Sequence, residues 1–300
     1  MTANLREATE TSILVLGAGE LGMAVLRGLA RRSAQPARIT VLLRCSTIAS
    51  GEPENRKKID ELRSLGVTFQ GSDLAILSAA QLSGHFCNFG TIIGCTGFVG
   101  GAGTQIKLAR AVVEAGVKRY VSWQFGVDYD VIGRHSPQEL FDEQLDVRDL
   151  LRSQKHTKWV IISTRMFTSF LFDPQFGVVD LAQNTVHALG SWTTAVTVTA
   201  AEDIGSLTAE RVLAEPEIVN RVVYTAGDTV TYGRLADIVD ASLKRKLNRV
   251  AWPVSQLRRE LSEDPNDMVK KYRAVFAAGR GVAWDKATTY NEQRGTTSKI

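Results

Sequence analysis

Four apolar residues, Ile13-Leu14-Val15-Leu16, run into Gly17-Ala18-Gly19-Glu20-Leu21-Gly22, three glycines at G-x-G-x-x-G spacing. After a strand and before a helix, that spacing suits phosphate chemistry. The first glycine permits a tight turn, the second lets a pyrophosphate approach the backbone, and the third lets helix and strand pack closely. The helix, read over Met23 to Arg32, offers unpaired N–H groups and a positive dipole end. A second strand, Arg38 to Leu43, ends at Arg44. There, a site that binds the free ribose 2′-hydroxyl carries Asp or Glu. A guanidinium instead clamps a 2′-phosphate with charge-assisted bonds, so NADPH is the expected cofactor. Lys58, or its neighbour Lys57, would add a second positive charge. A second glycine cluster runs from Thr96-Gly97 to Gly103. It reads either as the loop where strand four meets the cofactor, through Thr96 and Gly97, or as a plain turn.

Other chemistries find no support. Cys45, Cys87 and Cys95 form no close pair and the four histidines are scattered, which argues against a disulfide framework or a metal site. The net charge of +4 is too mild for a nucleic-acid footprint, and Lys244-Arg245-Lys246 reads as a solvated helix end. No apolar run approaches the ~20 residues of a membrane span, and the first eleven residues lack the apolar core of a signal peptide. The expectation is a cytoplasmic protein, monomer or homodimer, with a small-molecule substrate and no nucleic-acid or membrane partner.

The elements that position these residues alternate. Lys57 to Leu65 reads as a helix closed by Gly66, and Val67 to Gln70 as a strand. Leu74 to Leu82 reads as a helix capped by Ser72 or Asp73. Thr91 to Gly94, Lys118 to Ser122 and Trp159 to Ser163 read as strands, separated by helices over Gln105 to Ala115 and Pro137 to Ser153. Such alternation implies an α/β fold with a Rossmann-type, doubly wound parallel sheet. Beyond Thr164 the rhythm changes. Thr193 to Thr199 alternates like an exposed strand, followed by a helix over Glu202 to Leu213, a strand over Arg221 to Thr225 and a helix over Tyr232 to Lys244. We therefore divide the chain into a dinucleotide-binding domain, 1–165, and a smaller C-terminal substrate-binding lobe, 166–300, from which some segments return to the sheet.

Ala115-Gly116-Val117-Lys118-Arg119-Tyr120, followed by Phe125-Gly126, together with the opening motif and Arg44, resembles the isoflavone-reductase-like and NmrA-like families of atypical short-chain dehydrogenases. The resemblance covers most of the chain, is strongest over 12–165, and looks nearest to fungal members associated with secondary metabolism. In the reductase branch, the segment after strand five runs roughly Pro-Ser-Glu-Phe-Gly. The matching residues are Ser122, Trp123, Gln124, Phe125 and Gly126. The resemblance further implies a proton-accepting lysine four residues before a cofactor-touching arginine. Those positions are Gln144 and Arg148. A glutamine can orient a carbonyl or a nicotinamide, but it cannot shuttle a proton at neutral pH. No Tyr-x-x-x-Lys pair replaces it.

Among the residues near Gln144 in sequence, Tyr129 and His135 have the most suitable chemistry for an acid, and ordered water is an alternative. Trp123, Phe125, Met166, Phe167 and Phe170 are candidates for an apolar substrate wall, against core packing as the plainer reading. Arg165 stands where family members often carry glycine. It either selects an acidic substrate or alters the loop. The sequence points to an NADPH-dependent reductase of a small aromatic or conjugated metabolite. The alternatives are a non-catalytic NADP(H)-binding redox sensor and a non-redox isomerase or cyclase.

Overall fold

A computed structural model describes residues 11–35, 38–98 and 100–295. They form two compact units, each built from discontinuous stretches of chain. The first comprises the described part of Met1–Gln124 with Asp146–Ile162 and Glu202–Val222; the second comprises Phe125–Leu145, Ser163–Ala201 and the described part of Val223–Ile300.

The first unit is organised by a seven-stranded sheet. Its strands are β1 (Ile13–Leu16), β2 (Ile39–Leu43), β3 (Thr68–Gly71), β4 (Thr91–Gly94), β5 (Arg119–Val121), β6 (Lys158–Ser163) and β11 (Arg221–Tyr224). The spatial order is β11-β6-β5-β4-β1-β2-β3. Pairing from β1 to β6 is parallel, with Ile13 opposite both Ile39 and Thr91. The strands are short apolar runs because both faces are covered: Leu14, Leu16, Ile92 and Ile161 are fully buried among Leu108, Val112 and Leu151 of the flanking helices. Strand order reverses between β1 and β4, which makes the crevice beyond their C-terminal ends the place for a ligand.

Helix α1 (Glu20–Arg32) buries Val25, Leu26 and Leu29 against this sheet. It also meets the helix Ala201–Val212 at van der Waals range. A Cβ built on Gly28 would lie 2.6 Å from the Gly205 carbonyl oxygen, and one on Gly205 would lie 2.2 Å from the Ala24 carbonyl. Only glycine permits that approach. These contacts explain why the compact units do not follow a single cut between 165 and 166: the segments Asp146–Ile162 and Glu202–Val222 supply this unit with β6, most of its helix 201–212 and the start of β11.

One helix begins later than its composition indicates. The expected helix at Leu74 starts at Ala79, where Ser78 and Gln81 exchange side-chain-to-backbone bonds of 3.3 and 3.0 Å. This reciprocal cap satisfies two orphan N–H groups at once. Residues 74–77 form a turn instead, held by the Lys107 ammonium on the carbonyls of Leu74, Ala75 and Leu77.

The second unit contains two three-stranded sheets. One has the order β12 (Asp228–Thr231), β10 (Ala195–Thr199), β7 (Met166–Phe167). The other has the order β13 (Asn248–Trp252), β9 (Thr185–Leu189), β8 (Val179–Asp180). Strand β10 is interior, not exposed as its alternation indicated. Its threonines are buried because their hydroxyls are bonded, Thr197 to the Thr229 hydroxyl at 2.7 Å and Thr199 to the Thr164 carbonyl at 2.9 Å. Phe176, Val178, Val186, Leu189, Val196 and Phe276 are core residues of this unit.

Candidate functional site

The glycine loop joins β1 to α1 at the sheet's switch point, and its three glycines do different things. Gly17 has φ +94°, a left-handed conformation, while its N–H donates to the Leu42 carbonyl at 3.1 Å. A Cβ on Gly22 would sit 2.1 Å from the Gly17 carbonyl oxygen, so Gly22 lets the first helical turn press on the loop. Gly19 is the N-cap of α1 with no side-chain cap, and a Cβ built on it would meet nothing within 4 Å. The loop therefore presents an open backbone face and the start of a 13-residue helix, an arrangement suited to an anion.

That face borders a cavity of about 480 Å³. Gly17, Ala18, Gly19, Glu20 and Leu21 form one wall. Gly22, also expected to bind cofactor, lies behind it and acts through packing. Arg44 and Lys58 stand on the same cavity with Thr47, and Lys57 does not. Arg44 is exposed at the end of β2 and opens the single turn Cys45–Ile48. Lys58 is half-buried on the helix Pro53–Ser64. Ser72, Asp73, Leu74 and Ala75, in the loop after β3, close a further side. The sequence marked Ser72 and Asp73 only as candidate caps and Leu74 only as a helix start, not as cavity wall. The general rule that ligands sit beyond the carboxyl ends of parallel strands marks this loop and was the available signal.

The second glycine cluster lies on the cavity through Thr96, Gly97 and Gly100. Gly97 has φ +60°, and its carbonyl accepts a bond from the Gln105 side-chain amide. The Thr96 hydroxyl is buried without a hydrogen-bond partner, a cost that a polar ligand at this wall would remove. Trp123 lies against the position a Gly97 side chain would take, at 3.4 Å, and packs edge-to-face with Phe98 at 4.7 Å. Cys95 also lines the cavity. Burial pushes its thiol pKa well up, so it is a neutral packing group, not a thiolate nucleophile.

Arg148 and Gln124 are fully buried in the first unit, where the Arg148 Nε donates to the Gln124 side-chain oxygen at 2.7 Å. Neither borders the cavity. Gln144, four residues before Arg148 on the helix Leu140–Ser153, is also fully buried but belongs to the second unit. Tyr129 sits in the second unit's core, edge-to-face with Phe141 at 5.1 Å, its hydroxyl against Gly126. His135 is exposed, with a left-handed backbone (φ +62°) and its Nδ1 3.6 Å from the Asp142 carboxylate. Of the expected substrate wall, Trp123 alone borders the cavity. Phe125 and Met166 are buried in the second unit, Phe167 is half-buried there, and Phe170 stacks on Phe176 at 4.3 Å. No cluster of His, Cys, Asp or Glu able to hold a metal occurs among the described residues, and no described helix is long and apolar enough to cross a membrane.

The profile described as the NmrA-like family matches residues 9–283. An NmrA-like family domain-containing oxidoreductase from Gibberella moniliformis is 48% identical over 286 residues, covering 95% of this chain and 93% of that one. Among solved structures, an isoflavone reductase superimposes with a TM-score of 0.78 at 19% identity, covering 97% of both chains. The binary complex of leucoanthocyanidin reductase with NADPH from Vitis vinifera has a TM-score of 0.75 at 19% identity, covering 91% of this chain and 89% of that one.

Proposed function

We propose that this chain, which belongs to the NmrA-like family, is an NADPH-dependent oxidoreductase that reduces a small aromatic or conjugated metabolite. The observation that carries the proposal is one cavity bordered by both the open Gly19 face and the cations Arg44 and Lys58. In this reading the α1 N–H groups hold the pyrophosphate, and Arg44 with Lys58 holds the ribose 2′-phosphate. Leu42 and Leu74 would offer apolar surface to the adenine, and the Thr96 hydroxyl would offer the cofactor a hydrogen bond. The Gibberella relative's description as an oxidoreductase and the NADPH in the leucoanthocyanidin reductase complex support the same reading. When bound, NADPH would supply a hydride. The chain's part is to bind and orient, because Gln144 carries no proton that it can give up at neutral pH. The proton for the product therefore comes from water, or the substrate is already a cation such as an iminium.

Binding of NADPH and NADH by titration calorimetry tests the cofactor assignment. Replacing Arg44 with Ala should weaken NADPH by about 10–100-fold, as expected for losing a charged hydrogen bond, with NADH little changed. Equal loss for both cofactors would remove the 2′-phosphate role. Turnover is tested by NADPH oxidation against enones, ketones and imines. The buried amide at Gln144 favours one competing reading, a dinucleotide-binding sensor without catalysis. That reading expects tight binding, similar affinity for NADP⁺ and NADPH, and no oxidation with any of these substrates.

A further inference from the structure

Arg165, in the second unit, directly precedes β7. Its backbone has φ +68°, a conformation that residues with a Cβ rarely adopt. Bonds on either side hold it there. The Arg165 N–H donates to the Gly126 carbonyl at 3.0 Å, the Ser163 hydroxyl to the carbonyls of Gly126 and Val127, and the Thr164 hydroxyl to that of Phe125. The segment is thus fixed to the loop Phe125–Val127 of the same unit.

Arg165 is 5% exposed. Its guanidinium carbon lies 3.4 Å from the centre of the Trp284 ring, and its Nη2 donates to the Ala283 carbonyl at 3.2 Å. The Nε and Nη1 groups are buried and have no acceptor, and among the described residues no carboxylate lies within ion-pair distance. Burial pushes the guanidinium pKa down to about 9, against the opposing pull of Asp128 and Tyr224. A buried guanidinium whose N–H groups lack acceptors is costly, and a carboxylate is the acceptor whose geometry and charge meet guanidinium N–H groups best. The backbone of the covering ring is held independently of that ring: the Trp284 N–H donates to the Thr197 hydroxyl and the Trp284 carbonyl accepts from the Thr229 hydroxyl. The indole packs edge-to-face with Tyr224 at 5.0 Å, and its own N–H is buried without an acceptor.

We propose that Arg165 anchors a carboxylate on an aromatic substrate and that Trp284 is the ring that uncovers the guanidinium and stacks on the bound molecule. This rests on the reductase reading and narrows its substrate class to aromatic or conjugated acids.

The test uses the full chain saturated with NADP⁺, which permits no reduction. Cinnamate and its neutral isostere cinnamamide are the probes, followed by titration calorimetry and tryptophan fluorescence. Wild type should bind cinnamate at least about tenfold tighter than cinnamamide, the effect of one charged hydrogen bond, with a change in emission. Arg165→Gly, which suits the left-handed backbone, should lose that preference, and Arg165→Lys should keep part of it. Trp284→Phe should lose the emission change. Equal binding of the two probes, binding of neither, or a preference that survives in Arg165→Gly would overturn the proposal and leave Arg165 as a ring-stacked structural residue. NADP⁺ affinity, titrated separately in each variant, reports both folding and the dinucleotide reading. Absence of NADP⁺ binding in wild type would sink that reading, and the cinnamate comparison is then made on the chain without cofactor, where the same outcomes decide it.

Discussion

Gly19 and Gly22 sit three residues apart in one loop, yet an added methyl group should act on them in opposite ways. At Gly22 the methyl would meet the Gly17 carbonyl oxygen at 2.1 Å. Gly22→Ala should therefore destabilise the free protein by about 1–3 kcal/mol, the usual cost of overpacking, seen as a lower thermal midpoint without ligand. At Gly19 the methyl meets no protein atom. Gly19→Ala should melt like wild type alone but lose the upward shift that NADPH confers by mass action. An unchanged shift would mean that phosphate does not approach this face. The geometry of this loop was legible because strand, turn and helix are written within a few consecutive residues, and Arg44 stands at the end of the next strand. The aromatic stretch after Arg165 was not legible in the same way. Met166 and Phe170 bear the composition of a ligand wall, but Met166 is a core residue and Phe170 packs on that core, and composition cannot distinguish the two. The environment of Arg165 was invisible for another reason: Trp284 lies far away in sequence, and nothing local announces their contact.

At the scale of elements, the α1 and 201–212 helices meet through Gly28 and Gly205, where either added Cβ would strike backbone. Each single alanine substitution should force the helices apart, at about 1–3 kcal/mol by the overpacking range. The double variant should cost less than the sum, since the separation is made once and sites in contact are not additive. Urea unfolding of the four proteins measures this, and strict additivity would show that the two glycines relax independently. Element identities over β1 to β6 followed from apolar runs and short connections. Boundaries shifted where a side chain decided them, as at Ser78. Strand β13 escaped notice because Asn248 to Trp252 is largely exposed and lacks a strand-like pattern. Only its parallel pairing with Thr185–Leu189 reveals it.

For the whole molecule, the decisive feature is that the sheet borrows its last strand from far along the chain. The β11 edge is tied to β6 through Asn220 N–H to the Trp159 carbonyl, while Asn220 Oδ1 accepts from the Trp159 N–H at 3.1 Å. A fragment of residues 1–165 would leave the β6 edge unpaired and the Ala24–Gly28 face of α1 bare. Such an edge is a template for aggregation. That fragment should show no cooperative thermal transition by circular dichroism and should aggregate, whereas a chain of 1–224, which keeps all of β11, should show a sharper transition and aggregate less. A sharp melt for 1–165 would contradict this account. The same borrowed strand also sets a clock on synthesis. About 60 residues separate the end of β6 from the end of β11, which at ~5–20 residues per second is roughly 3–12 s of translation. Throughout that interval the nascent sheet waits with an open flank while much of the second unit emerges, so the step most exposed to misassembly falls before the chain leaves the ribosome.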